Sequence, residues 1–163
     1  MSDYQRNYQP GGCYFFTVNL QNRQSSLLTD HIGLLRQAVF QCRQETPFII
    51  HAWVVLPEHM HAIWSLPEED ANYSGRWRSI KKFFTRHLPD KENWPVNHRG
   101  ERRIWQRRFW EHTIRDELDF KHHFDYVHYN PVKHGLVTQV SHWPYSTFHR
   151  AVQQGIYPHR WSL

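Results

Sequence analysis

The stretch Ala52-Trp53-Val54-Val55-Leu56-Pro57-Glu58-His59-Met60-His61-Ala62-Ile63-Trp64 decides the fold. Residues 48–56 are a β-branched and aromatic run of strand length. Pro57-Glu58 turns the chain, and residues 59–66 form a second strand. So short a turn makes the pair antiparallel. Side chains two apart on a strand share a face. Met60, Ala62 and Trp64 therefore point to one side, and His59, His61 and Ile63 to the other.

The elements around this hairpin follow from periodicity. Upstream, Gly11-Gly12 opens a strand over 13–20, and residues 27–45 read as a helix. In that helix Leu34, Leu35, Ala38 and Val39 fall near one face, and Thr29-Asp30 can cap its start. Downstream, an acidic loop at 67–71 leads into a helix over 73–87. Its apolar stripe is Tyr73, Trp77, Ile80 and Phe84, while Arg76, Arg78, Lys81, Lys82 and Arg86 take much of the remaining surface. Residues 88–103 read as a loop, 104–114 as a strand or β-loop, and 116–130 as a helix ended by Pro131 and Gly135. The tail from 137 is irregular, with one short helix near 146–153. The order β-α-β-β-α-β, then α, predicts an α+β fold: a ferredoxin-like sandwich with an antiparallel sheet and an added C-terminal helix. Residues 1–140 are expected to form one domain, with 141–163 a tail packing on or near it.

Composition sets the outer limits. With 163 residues the chain is too short for a (β/α)₈ barrel. Aromatics at 16% and charged residues at only 21% argue against a solvated disordered chain. The net charge of +5, with 14 histidines besides, suggests an anionic polymer as partner, nucleic acid first. Cys13 and Cys42 supply neither a disulfide framework nor a cysteine zinc site. The first residues lack the apolar core of a signal peptide, and no apolar run approaches bilayer length. A cytoplasmic protein away from membranes is expected.

Three features carry chemistry. His59 and His61 on one strand face form a natural half-chelate for a divalent metal. Two ordinary histidines of a histidine-rich chain would leave the same trace. On the helix over 116–130, Phe120, Phe124 and Val127 form an apolar stripe, and Asp119, His123, Tyr126 and Asn130 a polar one. Tyr126 and Asn130, four apart, can address one point; a half-exposed tyrosine and a helix-closing asparagine is the plainer alternative. Residues 99–110 interleave Arg99, Arg102, Arg103, Arg107 and Arg108 with Trp105, Phe109 and Trp110. That composition suits phosphate neutralisation and base stacking, or a solvated loop over core tryptophans.

Taken together, these segments resemble the REP-associated tyrosine transposases, relatives of the single-tyrosine HUH transposases of bacterial insertion sequences. The resemblance rests on Phe15-Phe16-Thr17-Val18-Asn19-Leu20, on the hairpin from Ala52 to His61, and on Arg108-Phe109-Trp110-Glu111-His112. It continues through Asp125-Tyr126-Val127-His128-Tyr129-Asn130-Pro131-Val132-Lys133-His134-Gly135 and Trp143-Pro144-Tyr145-Ser146-Thr147. It covers nearly the whole chain.

The resemblance implies a metal-dependent single-stranded DNA endonuclease and strand transferase. Its substrates would be repetitive extragenic palindromes, which fold into imperfect hairpins. It places the metal ligands at His59 and His61 and the nucleophile at Tyr126. Related transposases carry a glutamine four residues after the tyrosine as third ligand; here that position is Asn130, one methylene shorter. Mg²⁺ or Mn²⁺ suits such a site, with Zn²⁺ the rival on ligand type. Expected DNA contacts are Arg107, Arg108 and Trp110 near the tyrosine helix, Lys133 beyond it, and Arg78, Lys81 and Lys82 on the basic helix. A monomer is expected in preference to a dimer. A non-catalytic hairpin-binding protein and a metal-dependent RNA-processing nuclease are the alternatives.

Overall fold

Strands Cys13–Asn19 (β1) and His59–Ser65 (β3) form the middle of a four-stranded antiparallel sheet. The computed structural model describes residues 5–94, 96–100 and 102–163. Between the two central strands lie helices Leu27–Asp30 (α1) and Ile32–Glu45 (α2) and strand Ile49–Val55 (β2). Helix Tyr73–His87 (α3), strand Trp110–Thr113 (β4), helix Glu117–Lys133 (α4) and helix Phe148–Gln153 (α5) follow. The sheet order is β2-β3-β1-β4, which is the ferredoxin-like order expected from the sequence.

Strand alternation builds a core on each side of the sheet. Tyr14, Phe16, Val18, Met60, Ala62 and Trp64 face α2 and α3, where all four stripe residues of α3 are buried. Trp64 stacks on Trp77 with ring centroids 4.3 Å apart. Phe15, Ala52, Val54 and Ile63 face the other way, against Phe124 and Val127 of α4 and Phe148 and Tyr157 of the tail. Each large aliphatic or Phe side chain buried there contributes roughly 1.5–3 kcal/mol. The register pairs Asn19 with His59, Thr17 with His61, and Thr17 with Trp110 on the other flank.

Four boundaries differ from the sequence reading. The helix over 27–45 breaks at His31, whose backbone leaves the helical region. Thr29-Asp30 therefore does not cap the long helix. Thr29 bonds the Ser26 carbonyl, and Asp30 accepts from the Ser26 hydroxyl, all within α1. The strand over 104–114 shrinks to β4, because residue 105 makes only a lone bridge to Leu20 before the chain departs. Helix α4 runs through Pro131 to Lys133. A proline this close to the end removes one intrahelical bond without breaking the turn. The true stop is Gly135 at φ +71°: its N–H bonds the Val132 carbonyl, and the Leu136 N–H bonds that of Pro131. Finally, the tail helix starts at Phe148, since residues 145–147 are used otherwise. Val55 N–H donates to the Tyr145 carbonyl and Thr147 N–H to that of Trp53, laying this segment along the β2 edge. Of the loop over 88–103, Pro95 and Glu101 lie outside the described residues.

No helix among the described residues is long and apolar enough to cross a membrane.

Candidate active site

His59 and His61 project from β3 toward α4, both 3% exposed. Each ring is held through Nδ1. His59 Nδ1 donates to Glu58 Oε1 at 2.6 Å, and Glu58 is itself gripped by Arg23 at 3.0 Å. His61 Nδ1 meets the Thr17 hydroxyl at 2.8 Å across the sheet. Such outer partners orient an imidazole and leave its Nε2 to bind something else. His61 Nε2 is buried without a hydrogen-bond partner, and so is Asn130 Oδ1. Two orphaned buried polar atoms on neighbouring elements need an explanation.

Burial pushes the His61 imidazole down to about 3, with the nearby His59, His134 and Lys133 adding to the shift. The Asn130 side chain opposes it, so it stands close to the ring, yet it completes no hydrogen bond there. Burial also lowers His59, against the pull of Glu58. Both rings therefore stay neutral near pH 7 and keep a lone pair available.

Tyr126 closes the site from α4. Its ring stands edge-on to His61 at 5.3 Å and to Phe15 at 5.8 Å. Two turns on, Lys133 donates from Nζ to Tyr126 Oη at 3.3 Å and lies 4.6 Å from the ring centroid. His134 brings a third imidazole, its centroid 5.1 Å from that of His59. The Asn130 amide reaches back to the Tyr126 carbonyl at 3.5 Å. So the structure gathers His59, His61, Tyr126, Asn130 and Lys133 in one place.

The remaining sequence-predicted residues lie elsewhere. Asp119 and His123 do not join Tyr126. They gather with His112 of β4, and the Phe15 ring stands between the two groups, 4.8 Å from His123 and 5.5 Å from His61. Trp110, 53% exposed, lies opposite Thr17 and so on the active-site face of the sheet. Arg107 and Arg108 are exposed just before it, and Arg78 and Lys82 are exposed on α3. Lys81 is drawn inward instead. It donates to the Gln106 carbonyl at 3.2 Å beside Trp105 and Phe109, and burial lowers its ammonium to about 8. Arg76 leaves the basic face altogether, buried and paired with Asp70. On the far side of the sheet a cavity of about 900 Å³ is lined by Lys82, Arg86, Arg99, Arg102, Arg103 and Arg107, with no acidic residue in its wall among the described residues.

Sequence reasoning missed Thr17, Glu58, His112 and His134. Thr17 becomes visible only once the β1–β3 register is known. Glu58 and His134 sit inside motifs already singled out, but nothing local shows that they touch His59.

No protein-family model matches the chain. A curated relative, the REP-associated tyrosine transposase of Escherichia coli, is 54% identical over 162 residues, covering 99% of this chain and 92% of that protein. A Haemophilus influenzae protein carrying the same family name is 49% identical over 164 residues, 99% and 93% of the two chains. The solved structure of a REP-associated tyrosine transposase bound to a REP hairpin superposes with a TM-score of 0.89 at 54% identity. That match covers all of this chain and 92% of the other. A Deinococcus radiodurans protein shares the fold at 12% identity, with a TM-score of 0.50 over 74% of this chain and 92% of its own. Sheet order, site and relatives together define an enzyme of the tyrosine transposase class. Within that class, the chain belongs to the REP-associated tyrosine transposases.

Proposed function

We propose that this chain cleaves and rejoins single-stranded DNA at REP-type palindromic hairpins, with Tyr126 as nucleophile. The observation that carries this reading is the pair of orphaned atoms, His61 Nε2 and Asn130 Oδ1, beside a tyrosine whose hydroxyl is held by a lysine.

Tyr126 Oη attacks the phosphorus in line. A phenolic O–P bond forms, and the bond from phosphorus to the 3′-oxygen breaks. The 3′-oxygen leaves with a proton, and a 5′-phosphotyrosine remains. Attack by a 3′-hydroxyl on that ester reverses the step, so rejoining needs no nucleotide cofactor. Lys133 aims Tyr126 Oη and brings positive charge to the incoming phosphate. Burial keeps His59 and His61 from becoming cations. His59, His61 and Asn130 would hold Mg²⁺ or Mn²⁺, which when bound polarises the phosphoryl oxygen. Two neutral nitrogens and one amide oxygen fit such an ion, Mn²⁺ better than Mg²⁺.

The DNA surface has two parts in this reading. Exposed Trp110, with exposed Arg108 two residues before it, offers a stacking ring and a charge on the nucleophile's side of the sheet for the unpaired strand. The basic cavity on the opposite face, with Lys82 and Arg107 in its wall, and exposed Arg78 of α3 suit the phosphates of the stem.

A denaturing gel with labelled single-stranded hairpin DNA tests the proposal. Wild type should form a protein-linked DNA band in Mn²⁺ but not in excess EDTA. Tyr126→Phe should bind the hairpin with near-unchanged affinity and form no band. Tight binding without any adduct would point to a hairpin-binding protein, and preferential cleavage of the RNA version to an RNA nuclease.

A further inference from the structure

We infer that His112, Asp119 and His123 form a second cation site, across Phe15 from the paired histidines, suited to a divalent transition metal such as Zn²⁺. One ligand atom from each of the three lies within 4.8 Å of the others. They come from two elements: His112 from β4, and Asp119 and His123 one turn apart on α4. Two imidazoles and a carboxylate form a common zinc donor set that leaves coordination positions open.

The donors are already closely spaced. His112 Nε2 lies 2.8 Å from Asp119 Oδ2 and 3.1 Å from Oδ1. His123 Nδ1 lies 3.1 Å from Asp119 Oδ1 and donates to the Asp119 main-chain carbonyl at 2.8 Å. Metal bonds of about 2.0–2.2 Å at tetrahedral angles put neighbouring donors about 3.4 Å apart. A cation thus needs small ring adjustments and the tautomers that carry their protons on the far nitrogens. The two rings stack 4.5 Å apart. All three side chains are half-buried, with Phe15 forming one wall, so water or another small ligand could complete the shell. The Arg115 side chain, 77% exposed with its Nε 3.7 Å away, is a weak competitor for the carboxylate, and the Arg115 main-chain N–H, which donates to Asp119 Oδ2 at 3.0 Å, leaves Oδ1 free to ligate.

The site has a mechanical use. β4 is a four-residue strand at the sheet edge, paired among the described strands with β1 alone. A cation on His112, Asp119 and His123 would staple it to the helix that carries Tyr126, making these positioning residues. The inference does not depend on the DNA-cleavage reading.

Zn²⁺ alone, added to metal-free full-length protein, tests it. The readouts are bound zinc, by competition with a chromogenic chelator, and the thermal midpoint. The His59→Ala/His61→Ala variant should keep one equivalent and a midpoint rise of roughly 5–10 °C at 100-fold excess over Kd. Added to that background, Asp119→Asn and His123→Ala should each lose both. Loss of all zinc binding in His59→Ala/His61→Ala would overturn the site. Should Asp119→Asn melt too low to measure, His112→Gln keeps an amide donor for Asp119 while removing the imidazole. One equivalent of zinc retained by His112→Gln on the His59→Ala/His61→Ala background would equally overturn the inference.

Discussion

Lys133 illustrates how one residue admits two roles that experiment can separate. As a phosphate contact it would add affinity; as the partner of Tyr126 Oη at 3.3 Å it would add rate. The geometry favours rate. Lys133→Met should slow adduct formation on bound hairpin on the order of 10²-fold, the usual effect of removing one such donor. Lys133→Arg should recover part of it. If instead the bound-state rate is unchanged and the salt dependence of binding weakens by about one unit of slope, Lys133 is a phosphate contact only. At this scale the site was half legible in the sequence. His59 and His61 share a face by strand period, and Tyr126 and Asn130 by helix period, so both pairs are local patterns. Thr17 beside His61 and His112 beside Asp119 are contacts across strands or between strand and helix, which no local period encodes.

Helix α4 shows what an element adds to its residues. Its last turn carries Asn130, Lys133 and, just beyond, His134, and Gly135 at φ +71° terminates it. A Cβ at Gly135 would meet nothing within 4 Å, so Gly135→Ala carries only the left-handed backbone penalty, about 1–2 kcal/mol. Gly155 ends α5 in the same way, at φ +76° with equally open surroundings. Gly135→Ala and Gly155→Ala should therefore lower the thermal midpoint alike. Only the first should slow cleavage, because only that terminus holds Lys133 against Tyr126. Equal activities would show that the turn does not position the lysine. Sequence reading stopped the helix at Pro131, because the local penalty on proline is real. It overlooked that a last turn tolerates the missing N–H. The stripe of α3 was readable throughout, since Tyr73, Trp77, Ile80 and Phe84 meet one continuous apolar surface. The break at His31 was not, since the apolar period runs on across it.

At the scale of the molecule, the tail is bound to the helix that carries Tyr126 through a buried polar chain. Tyr157 donates to Asp125 at 2.6 Å, and His128 bridges Tyr157 and Thr147 at 3.3 and 2.7 Å. Burial depresses the His128 imidazole to about 4 from an ordinary 6.5. The sign follows directly. Between these values the unfolded chain takes up a proton that the folded one refuses, so acid favours unfolding. The contribution is complete above pH 6.5 and is lost as pH falls toward 4, by at most about 3 kcal/mol. Chemical denaturation at pH 7.5 and pH 5 should show wild type losing more stability than His128→Gln. An equal loss in both would assign the acid sensitivity elsewhere. The tail was the least legible part of the sequence, because Trp143-Pro144-Tyr145 shows no alternation to reveal a pairing segment. Yet residues 145–147 run along β2, and that has a consequence for crowded solutions. Unpaired sheet borders invite other chains to add strands. Here the chain shields part of one border with its own backbone, and among the described residues the other border is the short four-residue β4. A protein built to handle a polymer thereby gives its own kind little on which to polymerise.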